Sequence, residues 1–340
     1  MVDFRLNLYH QCTQENEFTI MLLVTGATGF IGKNLIPELI KRGRLRILVR
    51  HTSNIALFKA YRGIEYAYGD LEQNRGIDKA LHGIDAVIHC AARTIGKNFM
   101  EYYKTNTIGT AHLIEAMNRQ GAKNILYLSS NAACGPCDEK KPLRETDHLR
   151  PISSYGRSKK LAEEVIMKSG VEYIILRPAP VYGPYDKEIL RYIKLLNHGI
   201  CPIIGFGDKY INLLYITDLV QLIIRFVQTN RFENQIYFVN DGHCYSYQEV
   251  LDKIAVLLEK DSIKVHIPQR IAQLCGLLND IFLPPQRRLI WRDKVKELAE
   301  HYWLCQSEKL MTACGFVAKF SLEQGMRETI AWYRGHDYLK

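Results

Sequence analysis

The pattern of apolar and polar positions changes character at Met21. Before it, Asp3, Arg5, His10, Gln11, Gln14, Glu15 and Glu17 interrupt every apolar stretch. After it, Met21-Leu22-Leu23-Val24 forms a short unbroken run ended by glycines, which predicts a buried strand. Strand and helix patterns then alternate. Strands are expected at 21–25, 45–49, 64–69, 85–90, 123–129 and 171–177, with helices at 30–43, 75–82, 99–120 and 153–169. Alternation at this spacing predicts parallel strands joined by right-handed crossovers, a doubly wound α/β sheet.

Beyond Pro184 the regularity weakens. Helices are expected near 187–198, 218–229 and 246–259, between short strands near 202–204, 209–214, 235–239 and 263–267. Ser246 with Glu249 forms a capping-box pair. Ser321 with Gln324 opens a last apolar-faced helix that ends near Trp332. Residues 271–290 combine an apolar face with Arg287 and Arg288, which reads as an amphipathic lid or core helix. Docking on a membrane surface is the alternative.

Composition narrows the class. With 340 residues, 47% of them hydrophobic, the chain can bury a large core. The net charge of +9 is spread along the sequence with no run of five or six basic residues. That argues against a nucleic-acid surface and suits an anionic small molecule. Nine cysteines, several inside apolar runs such as Val87-Ile88-His89-Cys90, read as free thiols in a reducing compartment. Cys134 and Cys137 form the one CxxC, and no second pair follows at zinc spacing, so no metal site is expected. The first twenty residues lack the apolar core of a signal peptide, and no apolar stretch of about eighteen residues occurs. The expected location is the cytoplasm.

The first strand runs into Thr25-Gly26-Ala27-Thr28-Gly29-Phe30-Ile31-Gly32, followed by a helix. Gly26 permits a sharp turn, Gly29 lets backbone N–H groups approach a pyrophosphate, and Gly32 lets the helix pack closely on the sheet. The helix N-terminus then faces the anion with unpaired N–H groups. At the end of the second strand, where a carboxylate would favour NAD(H), stands Arg50 with His51, Thr52 and Ser53 behind it. A cation and hydroxyls there suit a 2′-phosphate, which favours NADP(H) over NAD(H). The reading divides the chain into an extension over 1–20, a dinucleotide-binding domain over 21–184 and a mainly substrate-binding lobe over 185–340. Strands and helices of that lobe are expected to return to the core. The extension is either a tail or an upstream addition to a chain starting at Met21.

Tyr155 and Lys159 stand four apart on one helix face. A phenol is a poor acid/base near neutrality, with an ordinary pKa of about 10. A neighbouring ammonium favours the phenolate and brings it toward the working range. The pair alone is weak evidence. Strand 123–129 ends in Ser129-Ser130, at the sheet edge where such folds bind ligands, and a hydroxyl there can bond the reacting oxygen.

At this point the sequence resembles a family, the extended short-chain dehydrogenases/reductases of the NAD-dependent epimerase/dehydratase group. The resemblance covers about residues 21–335. It rests on TGATGFIG (25–32), Gly69-Asp70-Leu71, VIHCAA (87–92), Asn106 with Gly109-Thr110, and LSSNAACG (128–135). YGRSK (155–159), LRPAPVYGP (176–184) and YITDL (215–219) continue it in order. It implies a Rossmann domain with a smaller C-terminal α/β lobe. By the same resemblance Tyr155 is the acid/base, Lys159 its partner and a ligand of the nicotinamide ribose, and Ser130 rather than Ser129 the catalytic hydroxyl. Asn106 would support the active-site hydrogen bonds. Thr28, Phe30 and Ile31 would join the glycines at the cofactor, Asp70 and Leu71 would border the adenine, and Ala91, Ala92 and Pro178 would line the cofactor path. A homodimer through helices 99–120 and 153–169 is also implied.

Departures from the family pattern point to a branch. Asn131-Ala132 stand where dehydratases carry an acidic pair, which disfavours dehydration. Pro180 and Ile211 replace an Asn and an Arg expected of sugar-nucleotide enzymes, although Lys209 or Arg191 is available to compensate. Cys134 replaces a common tyrosine and suggests a less polar pocket wall. The expected function is hydride transfer between NAD(P)(H) and a small ketone or secondary alcohol, in the reductase or hydroxysteroid-dehydrogenase-like branch. A sugar-nucleotide epimerase with bound NAD and a non-catalytic dinucleotide sensor are the alternatives.

Overall fold

The computed structural model describes residues 17–284, 287, 288 and 290–339. Most of the expected 1–20 extension lies outside them. Phe18, before the expected start at Met21, is already buried in the core, and its N–H bonds the Arg42 carbonyl at 2.8 Å.

Seven parallel strands form the central sheet. They are β1 (Leu22–Thr25), β2 (Leu45–Val49), β3 (Ile64–Tyr68), β4 (Ala86–His89), β5 (Asn124–Leu128), β6 (Glu172–Pro178) and β11 (Gln235–Val239), in the order β11-β6-β5-β4-β1-β2-β3. The strand order reverses at β1, between β2 and β4, which opens a crevice at the carboxyl ends of the strands. The doubly wound α/β class expected from the alternation is therefore the class observed. β11 arrives from the C-terminal half and pairs with β6, so the second half completes the first half's sheet.

Strand periodicity sets the two layers. Leu22 and Val24 face one side, with Leu35, Ile36 and Leu39 of α1 (Phe30–Ile40) and Leu219 and Ile223 of α7 (Ile216–Thr229). Leu23 faces the other. There it meets Leu113 and Met117 of α4 (Gly109–Gln120), Ala162 and Ile166 of α5 (Ser154–Met167), and Leu81 of α2 (Ile77–Leu81). The helix expected over 99–120 is interrupted. Phe99–Tyr102 (α3) is α-helical, Tyr103–Ile108 is a π-helical turn, and α4 follows. Such turns widen a helix by one residue and often mark functional positions.

The remaining strands are short. β8 (Ile200–Ile204) pairs with β13 (Ile263–Ile267), and the two-residue β7 (Val181–Tyr182) pairs with β10 (Leu214–Tyr215). β9 (Tyr210–Ile211), which was expected to be one strand with β10, sits between β12 (Tyr245–Ser246) and β14 (Tyr302–Trp303). The helices of this half are α6 (Lys187–Asn197), α8 (Tyr247–Leu258), α9 (Gln269–Phe282), α10 (Arg292–Ala299), α11 (Glu308–Cys314) and α12 (Leu322–Gly335). α12 carries the expected capping box at Ser321 and Gln324. Among the described residues no helix is long and apolar enough to cross a membrane.

Candidate active site

The glycine loop has the geometry its spacing requires. Gly26 holds φ +74°, and a Cβ there would come within 2.5 Å of the Ala91 nitrogen. A Cβ on Gly32 would strike the Ala27 backbone at 2.3 Å, so the glycine allows the close packing of α1. Gly29 differs. A Cβ there would meet one atom, the Gly26 carbonyl oxygen at 3.2 Å, so this face of the loop opens outward. Gly29 also stands at the N-cap of α1, whose first intrahelical N–H, on Lys33, bonds the Gly29 carbonyl at 3.0 Å. The N–H groups of Phe30, Ile31 and Gly32 are the helix's orphan donors. Open space beside orphan donors fits a pyrophosphate.

The other candidate residues gather at the same sheet edge. Arg50 follows β2 and is exposed, while His51 behind it stacks on Tyr68 with ring centroids 4.7 Å apart. Asp70 and Leu71 follow β3; the Asp70 carboxylate accepts the Gln73 N–H, and the Leu71 carbonyl accepts from the His112 ring at 2.7 Å. Ala91 and Ala92 follow β4, Ser130 follows β5, and Pro178 ends β6.

A buried relay fixes this edge. The Thr110 hydroxyl donates to the Asn106 carbonyl at 2.6 Å, so its oxygen receives the His89 Nε2–H at 2.9 Å. His89 Nδ1 must then accept from the Thr25 hydroxyl at 2.6 Å. Burial pushes His89 down to about 3, which keeps the ring neutral as this chain of bonds needs. The Thr25 oxygen in turn accepts the Ala91 N–H at 3.3 Å. Asn106, on the π-helical turn, ties its side chain to both carbonyl and N–H of Arg93 and to the Ser158 hydroxyl at 2.8 Å. It joins the β4 loop to α5. His89 itself was not singled out from the sequence, where its place in an apolar run reads as core.

Ser129 and Ser130 separate by environment. The Ser129 hydroxyl is buried and donates to Glu163. The half-buried Ser130 hydroxyl accepts from the Ala132 N–H at 3.1 Å and lies near enough to the Tyr155 phenol to favour its ionised form. Lys159, 1% exposed, donates from Nζ to the Leu128 carbonyl at 2.6 Å and lies 4.2 Å from the Tyr127 ring centroid. Burial pulls this ammonium down to about 7, with Glu163 opposing. The sequence reading had Lys159 drawing the phenol down. In the structure burial acts first and holds Tyr155 above its ordinary value, with the Glu297 carboxylate reinforcing it and the nearby Ser130 hydroxyl opposing.

The Tyr155 helix is clamped at its start by α10, a helix absent from the sequence reading. Asp293 accepts the N–H of Ser154 at 2.8 Å and of Tyr155 at 3.3 Å. Ser153, the N-cap, accepts the Gly156 N–H and donates to Glu297 at 2.7 Å. Carboxylates at a helix N-terminus satisfy orphan N–H groups and meet its positive dipole end. RDKVKELA reads as a solvated charged helix, and nothing local in it signals a contact almost 140 residues away. Asp293→Ala is expected to lower stability by about 1 kcal/mol. Urea unfolding measures this, and the Asp293→Asn variant, which still accepts hydrogen bonds, should recover part of the loss.

Behind α10 lies a cavity of about 160 Å³. Its walls include Pro180, Ile203, Ile204, Ile211, Leu213 and Ile254, with Asp186, Glu188, Lys209 and Lys294 as the ionisable acids and bases. Lys294 pairs with Glu188 at 2.8 Å. Tyr155 does not itself line the cavity; two of the charged groups that do, Glu188 and Lys294, act electrostatically on its phenol, as does Glu297 outside it. Pro180 and Ile211, the two departures noted in the sequence, thus share one cavity. Cys134 does not; it is buried with Phe238 and Cys305 and lines no part of it. Cys137 is buried too, and its thiol meets the Glu139 and Tyr302 carbonyls.

The sequence matches the model of the NAD dependent epimerase/dehydratase family over residues 22–239, from the start of β1 to the end of β11. Among similar proteins is a UDP-glucose 4-epimerase of Vibrio cholerae, 29% identical over 286 residues that span 78% of this chain and 84% of that protein. Another is a ceramide reductase of Caulobacter vibrioides, 26% identical over 325 residues, spanning 94% and 96%. A UDP-glucuronic acid 4-epimerase from Bacillus cereus, solved with UDP-glucuronic acid and NAD, superposes with a TM-score of 0.77 over 93% of this chain and 100% of that one. At 20% identity that likeness concerns the fold. The family match spans the whole central sheet, and the chain belongs to the NAD dependent epimerase/dehydratase family as an enzyme of the extended short-chain dehydrogenase/reductase type.

Proposed function

We propose that this enzyme transfers hydride between NADP(H) and an apolar ketone or secondary alcohol, with Tyr155 as acid/base. The observation that carries the reading is the cavity behind α10, where Pro180 and Ile211 stand among largely apolar walls and whose Glu188 and Lys294 act on the Tyr155 phenol. Its volume is below the roughly 300–1,000 Å³ of ordinary ligand pockets and suits an alkyl segment better than a nucleoside diphosphate. The similarity to a protein named as a ceramide reductase supports the same class.

The glycine loop and the orphan donors of Phe30, Ile31 and Gly32 would hold the pyrophosphate. Asp70 and Leu71 would border the adenine, and Ala91, Ala92, Pro178 and Lys159 the nicotinamide half. When bound, the nicotinamide supplies or accepts the hydride. The protein handles the proton. In the reductive direction Tyr155 gives its phenolic proton to the oxygen of the carbonyl as that oxygen gains charge. A phenol held above its ordinary pKa carries its proton across neutral pH but gives it up less readily, so the charge developing on the carbonyl oxygen has to draw it off. The Ser130 hydroxyl holds the same oxygen, and the Lys159 ammonium stabilises the phenolate left behind. Asn106 acts through Ser158 and the Arg93 backbone as a positioning residue.

Arg50 favours NADP(H), since it is exposed and free to meet a 2′-phosphate. Arg50→Ala is expected to raise the Kd for NADPH by about tenfold, the worth of one charge-assisted hydrogen bond, and to leave NADH unchanged. Fluorescence titration with both cofactors, followed by panels of ketones and nucleotide sugars, tests the reading. Equal affinity for both cofactors would overturn the NADP(H) preference, and turnover of nucleotide sugars alone would overturn the substrate class.

One observation favours a second reading, a sugar-nucleotide epimerase. Lys209, buried in the cavity wall with its Nζ bonded to the Leu298 carbonyl, is a cation able to meet a diphosphate. Purification with bound NAD and no net nicotinamide turnover would favour it. A homodimer through residues 99–120 and 153–169 is also proposed, supported by Met100 and Met167, which are exposed on those segments. Gel filtration at the monomer size would remove it.

A further inference from the structure

Helix α9 is built inside out. The residues it turns toward the protein are Ala272 and Gly276, four apart on one face. A Cβ on Gly276 would come within 3.0 Å of the Arg292 nitrogen, so the helix lies close against the start of α10. Its large side chains point away. Ile271, Leu274, Leu278, Ile281 and Phe282 are 45–74% exposed. A helix packed on a water-soluble core does the reverse, burying its bulky residues and exposing its small ones.

The apolar surface does not stop at the helix. Strand β13, which leads into α9, exposes Ile263 and Val265 on one of its faces; Phe206, also exposed, stacks on His266 of the opposite face with centroids 5.5 Å apart. A patch of this extent marks an interaction site rather than scattered surface residues. Its charge has one sign along the helix. Arg270 in the first turn, Arg287 just beyond the end and Arg292 after it are exposed. The single carboxylate of α9, Asp280, pairs with Arg288 at 2.9 Å. Arg288, unlike Arg287, is fully buried in that pair and also bonds the Gly96 carbonyl. Glu259 and Asp261 precede β13, at the far end from the helix.

The patch also adjoins the cavity. β13 pairs along its length with β8, whose Pro202, Ile203 and Ile204 line the cavity wall. Ile204, Ala272 of α9 and Val295 of α10 form one buried apolar cluster. Lys294 and Leu298 of the same α10 face the cavity.

We propose that α9 and β13 seat the enzyme on the surface of an anionic lipid bilayer, and that its ketone substrate carries an alkyl chain taken from that bilayer. The second clause rests on the function proposed above; the first stands on this surface alone. Exposed bulky apolar residues enter the acyl boundary while arginines at the helix ends meet anionic headgroups. With 14 residues, α9 lies in the interface rather than crossing it.

The test is co-sedimentation of the full-length enzyme with phosphatidylcholine vesicles, with and without phosphatidylglycerol. Strong binding to the anionic vesicles is expected. A variant carrying Leu274→Ser, Leu278→Ser, Ile281→Ser and Phe282→Ser should bind at least about tenfold less. Arg270→Gln with Arg287→Gln should reduce the difference between the two vesicle types. These positions are exposed, so an unchanged melting temperature and unchanged NADPH affinity show that the variants fold. Equal binding by wild type and the serine variant overturns the proposal, as does no binding to either vesicle. A wild type that ignores vesicles, with a variant of lower oligomeric state, assigns the face to a second copy of this chain and overturns it too. Reduction of short water-soluble ketones, measured without vesicles, tests the chemistry separately from the docking.

Discussion

Replacing Tyr155 with phenylalanine is expected to lower kcat by about 10²–10⁴-fold, the usual worth of a positioned acid/base group. The substitution removes one oxygen and one proton. It leaves the ring, which meets Tyr102 edge-on at 6.3 Å between centroids, and the backbone N–H that Asp293 accepts. The glycine loop lies on other elements, so NADPH affinity should hold within about twofold, since no hydrogen bond to the diphosphate is lost. The pairing of these results carries the meaning. Loss of turnover with intact cofactor binding assigns the phenol to proton transfer. Loss of both would point to a folding defect, and loss of neither would make the protein a sensor of dinucleotide. Ser130→Ala should cost less, because the proton donor remains and one hydrogen-bond donor to the oxygen is lost. Stopped-flow measurement of a single turnover separates the chemical step from product release.

What could be read from the sequence was local. The glycine loop declares itself because the turn, the helix start and the strand are adjacent in the chain. The sheet follows from the regular alternation of strand and helix patterns. Pro180 and Ile211 stood out against the family motif, and both face the cavity. What could not be read depends on distant partners. The two-residue strands β7, β12 and β14 exist through pairing with segments far along the chain, and no periodicity announces them, while the split of the expected 209–214 strand into β9 and β10 follows from their different partners. The clamp of Asp293 and Glu297 on the Tyr155 helix joins positions 139 and 144 residues apart. The π-helical turn at Tyr103–Ile108 has ordinary helical composition, and its extra residue shows only in the backbone. Helix α9 was legible as apolar but not as inverted, because the direction of a face is set by what packs against Ala272 and Gly276.

Arg177→Met is expected to destabilise the fold by about 3–5 kcal/mol, the cost of breaking a buried ion pair from one side. Arg177 on β6 is 2% exposed and meets the fully buried Glu163 of α5 through Nε at 3.1 Å and Nη2 at 2.7 Å. The pair ties the sheet to the helix that carries Tyr155 and Lys159. Methionine fills much of the volume but leaves the Glu163 carboxylate with the Ser129 hydroxyl as its remaining strong partner. A buried carboxylate without its cation favours the neutral form. Urea denaturation measures the loss. A second change, Glu163→Gln on the Arg177→Met background, removes the buried charge left behind and should recover part of the stability. No recovery would show that the arginine acts through packing on Phe238, 5.7 Å from its guanidinium, rather than through its charge.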